Sequence, residues 1–128
     1  MSLKDSLRVM VVDDMSTSRG MLVQALDDLG IRNYSVENSG DSAFSKLIGQ
    51  PVHLVLSDYN MPGMDGLHLL KALREHKTTS RIGFILVTGR PTQQVIDFGR
   101  QLSMNNFLKK PFTQAEFKSC IETVVGKL

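Results

Sequence analysis

Three acids, a hydroxyl and an ammonium stand at the ends of short apolar runs. Asp13 and Asp14 follow "VV", Asp58 follows "HLVLS", Thr88 follows "FILV" and Lys110 follows "NNFLK". Carboxylate oxygens with no histidine or cysteine beside them suit a hard divalent cation, and Mg²⁺ typically keeps several of its waters in such a site. Three carboxylates crowded together repel, so cations must neutralise them, and one Mg²⁺ with one lysine ammonium would balance the charge. A carboxylate positioned in line is also a usable nucleophile toward phosphorus. Taken singly, each residue has a plainer reading. A strand-end acid more often caps a helix or sits in a solvated turn. Thr88 could cap the helix after it, Lys110 could be a surface charge, and Asp13-Asp14 could be a loop. Asp65, just before Gly66-Leu67, is expected to be a helix cap outright. Asp58 is left as ligand, cap or nucleophile, and only a fold that gathers these positions would choose.

The pattern around them supplies such a fold. Apolar runs at Arg8–Val12, Asn33–Glu37, Val52–Ser57, Gly83–Val87 and Asn105–Lys109 read as strands. Three of them lack polar alternation, as strands covered on both faces do. Helices are predicted between and after them, at about Ser16–Leu29, Asp41–Ile48, Gly66–Glu75, Pro91–Leu102 and Gln114–Gly126. In the last, Phe117, Cys120, Ile121, Val124, Val125 and Leu128 recur at steps that make one apolar face. Thr113 and Glu116 form a capping-box pattern there, with Phe112 and Phe117 placed as a staple. Gly30, Gly49-Gln50-Pro51, Met61-Pro62-Gly63 and Gly89-Arg90-Pro91 punctuate the other elements. Five repeats of strand then helix point to an α/β fold, a parallel sheet with helices on both faces. Crossover connections put every strand's C-terminal end on one edge of the sheet, where open sheets of this kind bind ligands.

Composition narrows the function classes. The 128 residues have the size of one compact domain, 1–128, with 41 % hydrophobic and 22 % charged residues. A formal net charge of +2, with no basic block longer than Lys109-Lys110, argues against nucleic acid. No apolar run approaches the ~20 residues of a membrane span, and the N-terminus lacks a signal-peptide pattern. The lone Cys120 cannot form an internal disulfide, so a cytoplasmic protein is expected.

The pieces "VVDD", "SDYNMPGMDGL", "LVTG" and "FLKKPF", in this order and spacing, carry a resemblance. Over nearly its whole length the sequence resembles the receiver domain of bacterial two-component response regulators. Within that family it looks closest to the single-domain chemotaxis regulators of the CheY type. The resemblance implies a flavodoxin-like (βα)5 fold with strand order 2-1-3-4-5. It implies that Asp58 accepts a phosphoryl group from a histidine kinase, and that Asp13, Asp14, Asp58 and the backbone carbonyl of Asn60 hold Mg²⁺. Lys110 matches the lysine that pairs with the phosphoryl group, and Thr88 matches the hydroxyl that hydrogen-bonds to it. Gly89 stands where the family uses a small residue beside the phosphoryl site. Phe107 matches an aromatic on the fifth strand that shifts with the threonine. Chemotaxis regulators commonly have tyrosine there, so any role for a tyrosine hydroxyl is absent; a simple core role for Phe107 is the competing reading. Asn60 and Arg90 occupy positions that influence dephosphorylation, with Arg90 replacing a familiar glutamate. Leu102-Ser103-Met104 replaces a frequent Ala-Gly-Ala, changing the surface beside the fourth predicted helix. The Lys110-Pro111 bond is expected to be cis, as in the family.

The resulting expectation is a freestanding monomeric phosphoacceptor switch without an attached output domain. It would not be an enzyme beyond its own phosphorylation and dephosphorylation. Its phosphodonor would be a CheA-like histidine kinase. Its target would be a flagellar motor switch protein or another protein, reached through the fourth predicted helix, the fifth strand and the fifth predicted helix. A close variant is a phosphate sink or phosphorelay carrier that does not bind the motor. A different class, a Mg²⁺-dependent phosphatase with an aspartyl nucleophile, usually needs a second acid two residues on. Asn60 stands at that position and cannot exchange a proton in that way.

Overall fold

The computed structural model describes residues 3–128. Five strands, β1 (Val9–Val12), β2 (Tyr34–Glu37), β3 (Leu54–Asp58), β4 (Gly83–Thr88) and β5 (Asn106–Lys109), form one parallel sheet. Their order across the sheet is β2-β1-β3-β4-β5, as the resemblance implied. A short turn of helix, α1 (Leu3–Ser6), precedes β1. Five longer helices follow the strands: α2 (Ser16–Asp28), α3 (Gly40–Gly49), α4 (Gly66–Glu75), α5 (Gln93–Gln101) and α6 (Gln114–Val125). The expected helix–strand–helix docking face is therefore α5–β5–α6.

Every residue of β1 and β3 is buried, as is all of β4 but Gly83. These are the central strands, whose unbroken apolar runs marked them as covered on both faces. Alternate side chains divide between two cores, as the two-residue period of a strand requires. Val9, Val11, Leu54, Leu56, Ile85 and Val87 face one core with Leu22 and Leu26 of α2 and Phe117 and Ile121 of α6. Met10, Val12, Val55, Phe84 and Leu86 face the other with Leu47 of α3 and Leu69, Leu70 and Leu73 of α4. Each such side chain contributes roughly 1.5–3 kcal/mol on burial. The two cores clamp the sheet from both sides.

The helix starts follow local chemistry. Ser39, Asp65, Thr92 and Thr113 each accept a hydrogen bond from the backbone N–H three residues on, at the starts of α3, α4, α5 and α6. Asp65 is the cap it was expected to be, with His68 N–H at 2.8 Å. The Thr113–Glu116 capping box closes in both directions, and the Phe112 and Phe117 rings stack with centroids 5.5 Å apart. Helix α5 is shorter than the predicted 91–102 span. Thr92 is its cap, so Pro91 lies outside it and Thr88 is released from the capping role it could have filled.

Candidate functional site

The C-terminal ends of four strands meet at one edge. Val12 pairs with Ser57, which sets Asp13 beside Asp58. Asp58 pairs with Val87, and Thr88 with Lys109. Single backbone bonds continue the ladder past the strands: Asp13 N–H to Glu37, Tyr59 N–H to Val87 and Lys110 N–H to Thr88, at 3.1, 3.1 and 2.9 Å. The sheet thus fixes the backbone under each of these side chains before the loops begin.

Asp13, Asp14 and Asp58 each offer a carboxylate oxygen, and these atoms lie within 4.8 Å of one another. Asp13 is fully buried, Asp58 is 5 % exposed and Asp14 reaches solvent. The Met15 N–H donates to Asp13 Oδ1 at 3.0 Å, whereas Asp13 Oδ2 is buried with no hydrogen-bond partner among the described residues. A buried carboxylate oxygen left without a donor is costly. Asp13 belongs to a cluster with two more carboxylates, the arrangement a hard cation would satisfy, so the oxygen donors present fit Mg²⁺.

Lys110 Nζ donates to Asp58 Oδ1 at 2.8 Å, joining the ammonium to the acid cluster. Burial pushes the Asp58 carboxyl above its ordinary range; Lys110 pulls it back through hydrogen bond and charge, while the neighbouring Asp13 adds a further upward push. The chain around Asp58 is pinned as well. Ser57 Oγ donates to the Asp58 carbonyl at 2.9 Å, and the Gly66 N–H donates to Tyr59 O at 2.9 Å. A Cβ on Gly66 would come within 2.5 Å of that Asp58 carbonyl oxygen and 2.8 Å of Leu86 Cδ1. Only glycine lets α4 begin this close to the strand. Gly63, at φ +74°, makes the intervening turn.

Thr88 is buried at the end of β4, and its Oγ1 accepts from the Arg90 N–H at 3.1 Å. Gly89 and the Arg90 side chain are exposed beyond it. Gly89 is not sterically required in this arrangement, since a Cβ there would meet only Lys110 O at 4.0 Å. Asn60 is exposed just past β3. Phe107 is half-buried on β5, packed against the second core. The Lys110-Pro111 peptide is cis. All the residues singled out at strand ends therefore share one edge, with Phe107 one turn of the pleat below.

Sequence alone left several contributors unnoticed. Lys110 Nζ also donates to Ser18 Oγ at 3.2 Å, from the first turn of α2. Arg19 Nη1 donates to the Asp13 carbonyl at 2.9 Å. Placing the start of α2 directly after Asp13-Asp14 was enough to bring that turn to the same edge, and the hydroxyl and guanidinium in it were the available signal.

Comparison with known proteins decides the family. The sequence model for the response regulator receiver domain matches residues 9–122. The chain belongs to the response regulator receiver domain family. Over all 128 residues it is 39 % identical to the probable chemotaxis protein CheY of Rhizobium etli, covering 99 % of that protein. It is 31 % identical over 95 % of its length to the chemotaxis protein CheY of Pseudomonas aeruginosa, covering 98 % of it. Solved structures share the receiver fold. Vibrio cholerae CheY4 aligns with a TM-score of 0.85 at 24 % identity, over 92 % of this chain and 98 % of that one. The receiver domain of a Pseudomonas aeruginosa sensor histidine kinase, described with a magnesium ion coordinated in its active-site cleft, aligns with a TM-score of 0.84 at 24 % identity. That alignment covers 94 % of this receiver and 98 % of that domain.

Proposed function

We propose that this receiver is a phosphoacceptor switch in two-component signalling, with Asp58 as the residue phosphorylated by a histidine kinase. The observation that carries the reading is the 2.8 Å contact of Lys110 with Asp58 at the edge of a three-carboxylate cluster whose buried Asp13 Oδ2 has no partner among the described residues. Asp13, Asp14, Asp58 and the Asn60 carbonyl would hold Mg²⁺, which when bound offsets negative charge on the transferring oxygens. An Asp58 carboxylate oxygen attacks phosphorus in line. As that P–O bond forms, the P–N bond to the donor histidine breaks and the imidazole leaves with the electron pair, to take up a proton from solvent. The Lys110 ammonium follows the charge from the carboxylate to the phosphoryl oxygens. Thr88 donates its hydroxyl to a phosphoryl oxygen once the Arg90 N–H no longer holds it. Gly89 leaves that approach open. Asn60 and Arg90, both exposed at the mouth of the site, govern access of the water that hydrolyses the acyl phosphate. The chain then turns over nothing but its own phosphoryl group.

The output is a shift between two arrangements of the β4–α5 loop and Phe107, read on the α5–β5–α6 face. The similarity to chemotaxis proteins supports a chemotaxis role, in which we place a CheA-like kinase as donor and a flagellar motor switch protein as target, in the cytoplasm, with the receiver acting as a monomer. A phosphate-sink or phosphorelay role shares every step up to Asp58 and omits the motor. A pull-down comparing unmodified receiver with receiver treated with beryllofluoride and Mg²⁺ tests the switch. Motor switch protein retained only by the treated form is the expected result; equal retention by both forms contradicts it. Retention of a phosphotransfer protein alone would select the sink.

A further inference from the structure

We propose that Ser18 is a positioning residue for Lys110, its hydroxyl holding the ammonium against Asp58 before a phosphodonor arrives. The inference deepens the phosphoacceptor reading and rests on it. Ser18 and Lys110 are 92 positions apart in sequence, yet Nζ reaches Ser18 Oγ at 3.2 Å and Asp58 Oδ1 at 2.8 Å from one position. A lysine stem has many rotamers, and one contact leaves the ammonium free to swing around the carboxylate. A second contact from a different element removes that freedom. Lysine has three N–H donors, so with two engaged one remains for an oxygen of the transferring group.

Ser18 can serve because its own position is fixed. The turn that carries it is tied to the end of β1 at two points, by Arg19 Nη1 to the Asp13 carbonyl at 2.9 Å and by the Met15 N–H to Asp13 Oδ1 at 3.0 Å. Preorganisation of this kind lowers the cost of reaching the reactive geometry. The residue type matters equally. A hydroxyl accepts from the ammonium without drawing it away from Asp58, whereas a carboxylate would compete for Lys110 and add a fourth negative charge to the cluster.

The test uses the full chain with Ser18→Ala and Ser18→Thr. Three quantities are measured: the initial rate of phosphorylation by acetyl phosphate at saturating Mg²⁺, Mg²⁺ affinity by calorimetry without donor, and the ¹⁵N NMR signal of the Lys110 ammonium. Ser18→Ala is expected to slow phosphorylation roughly five- to tenfold, the scale of one ordinary net hydrogen bond. Mg²⁺ affinity should hold while the ammonium signal broadens through faster exchange. Ser18→Thr, which keeps the hydroxyl, should restore both rate and signal. A wild-type rate in Ser18→Ala overturns the proposal, as does a Ser18→Thr protein as slow as Ser18→Ala, which would point to packing. If the wild-type protein takes no label, the phosphoacceptor reading itself fails and the positioning role falls with it, a result distinct from a labelled wild type with an unaffected alanine variant.

Discussion

Asp58 lies buried next to the fully buried Asp13, and Lys110 only partly offsets the cost of keeping it ionised. Its folded pKa is raised, so between its unfolded and folded values the native state binds more protons than the unfolded chain. Stability from this group is therefore present below the unfolded pKa and is lost as pH rises through the folded one. At neutral pH the ionised carboxylate is a destabilising feature of the fold, as expected of a buried acid only partly compensated. Asp58→Asn keeps an acceptor for Lys110 and removes the charge. In EDTA at neutral pH it should unfold at a higher temperature than wild type, by about 1 kcal/mol of stability. That advantage should shrink in mildly acidic buffer. Added Mg²⁺ should stabilise the wild-type protein more than the variant. Thermal melts across these conditions check all three, and a variant less stable than wild type in neutral EDTA would refute the account of Asp58's burial.

Among the elements, the β3–α4 junction is tightly constrained against the backbone. Gly66 lies where any side chain would strike the Asp58 carbonyl, so Gly66→Ala must move either α4 or the Asp58 backbone. A loss of about 1–3 kcal/mol is expected from overpacking of this kind, together with slower phosphorylation, measurable by denaturant titration and by labelling rate. Unchanged values in both would mean the junction relaxes freely. Helix α6 gives an independent check. Its Cys120 is buried beneath β5 and donates to the Phe107 carbonyl at 3.5 Å. Burial pushes the thiol pKa up to about 11. Alkylation at neutral pH should consequently be slow and rise sharply when the protein unfolds; rapid labelling of native protein would show that α6 is not packed as described.

The strands, the last helix and the α4 cap were legible in the sequence because each rests on local signals: unbroken apolar runs, a capping box, an acid just ahead of Gly66-Leu67. The gathering of Asp13, Asp14, Asp58, Thr88 and Lys110 at one edge was legible because a parallel sheet sends every strand end there. Contacts between distant elements were not. Arg74 donates to the carbonyls of Ser80, Ile82 and Ser103 and to Asn105 Oδ1, bracing the α4–β4 and α5–β5 loops together. Nothing in its helical neighbourhood distinguishes it from a surface arginine. The Leu102-Ser103-Met104 segment likewise acquires meaning only in three dimensions. Ser103 adopts φ 63°, a left-handed conformation that favours glycine, and Met104 packs directly on Gly99.

At the scale of the whole molecule, the acid-cluster edge and the α5–β5–α6 face are joined through β4 and β5, whose Leu86 and Phe107 are register partners. Phe107 lies on β5, within that face, half-buried and without a hydroxyl to tether it. If it transmits the switch, Phe107→Ala should weaken phosphorylation-dependent partner binding while leaving the labelling rate within about twofold of wild type. The reverse pattern, slower labelling with unchanged partner affinity, would make it a packing residue only.

If Asp58 carries the signal, incubation with Mg²⁺ and acetyl phosphate, followed by borohydride trapping and peptide mass spectrometry, should find the phosphoryl group there. One Mg²⁺-dependent modification is expected, reduced to homoserine at position 58 and lost in Asp58→Asn. Trapping at any other residue, or equal modification of Asp58→Asn, would contradict it.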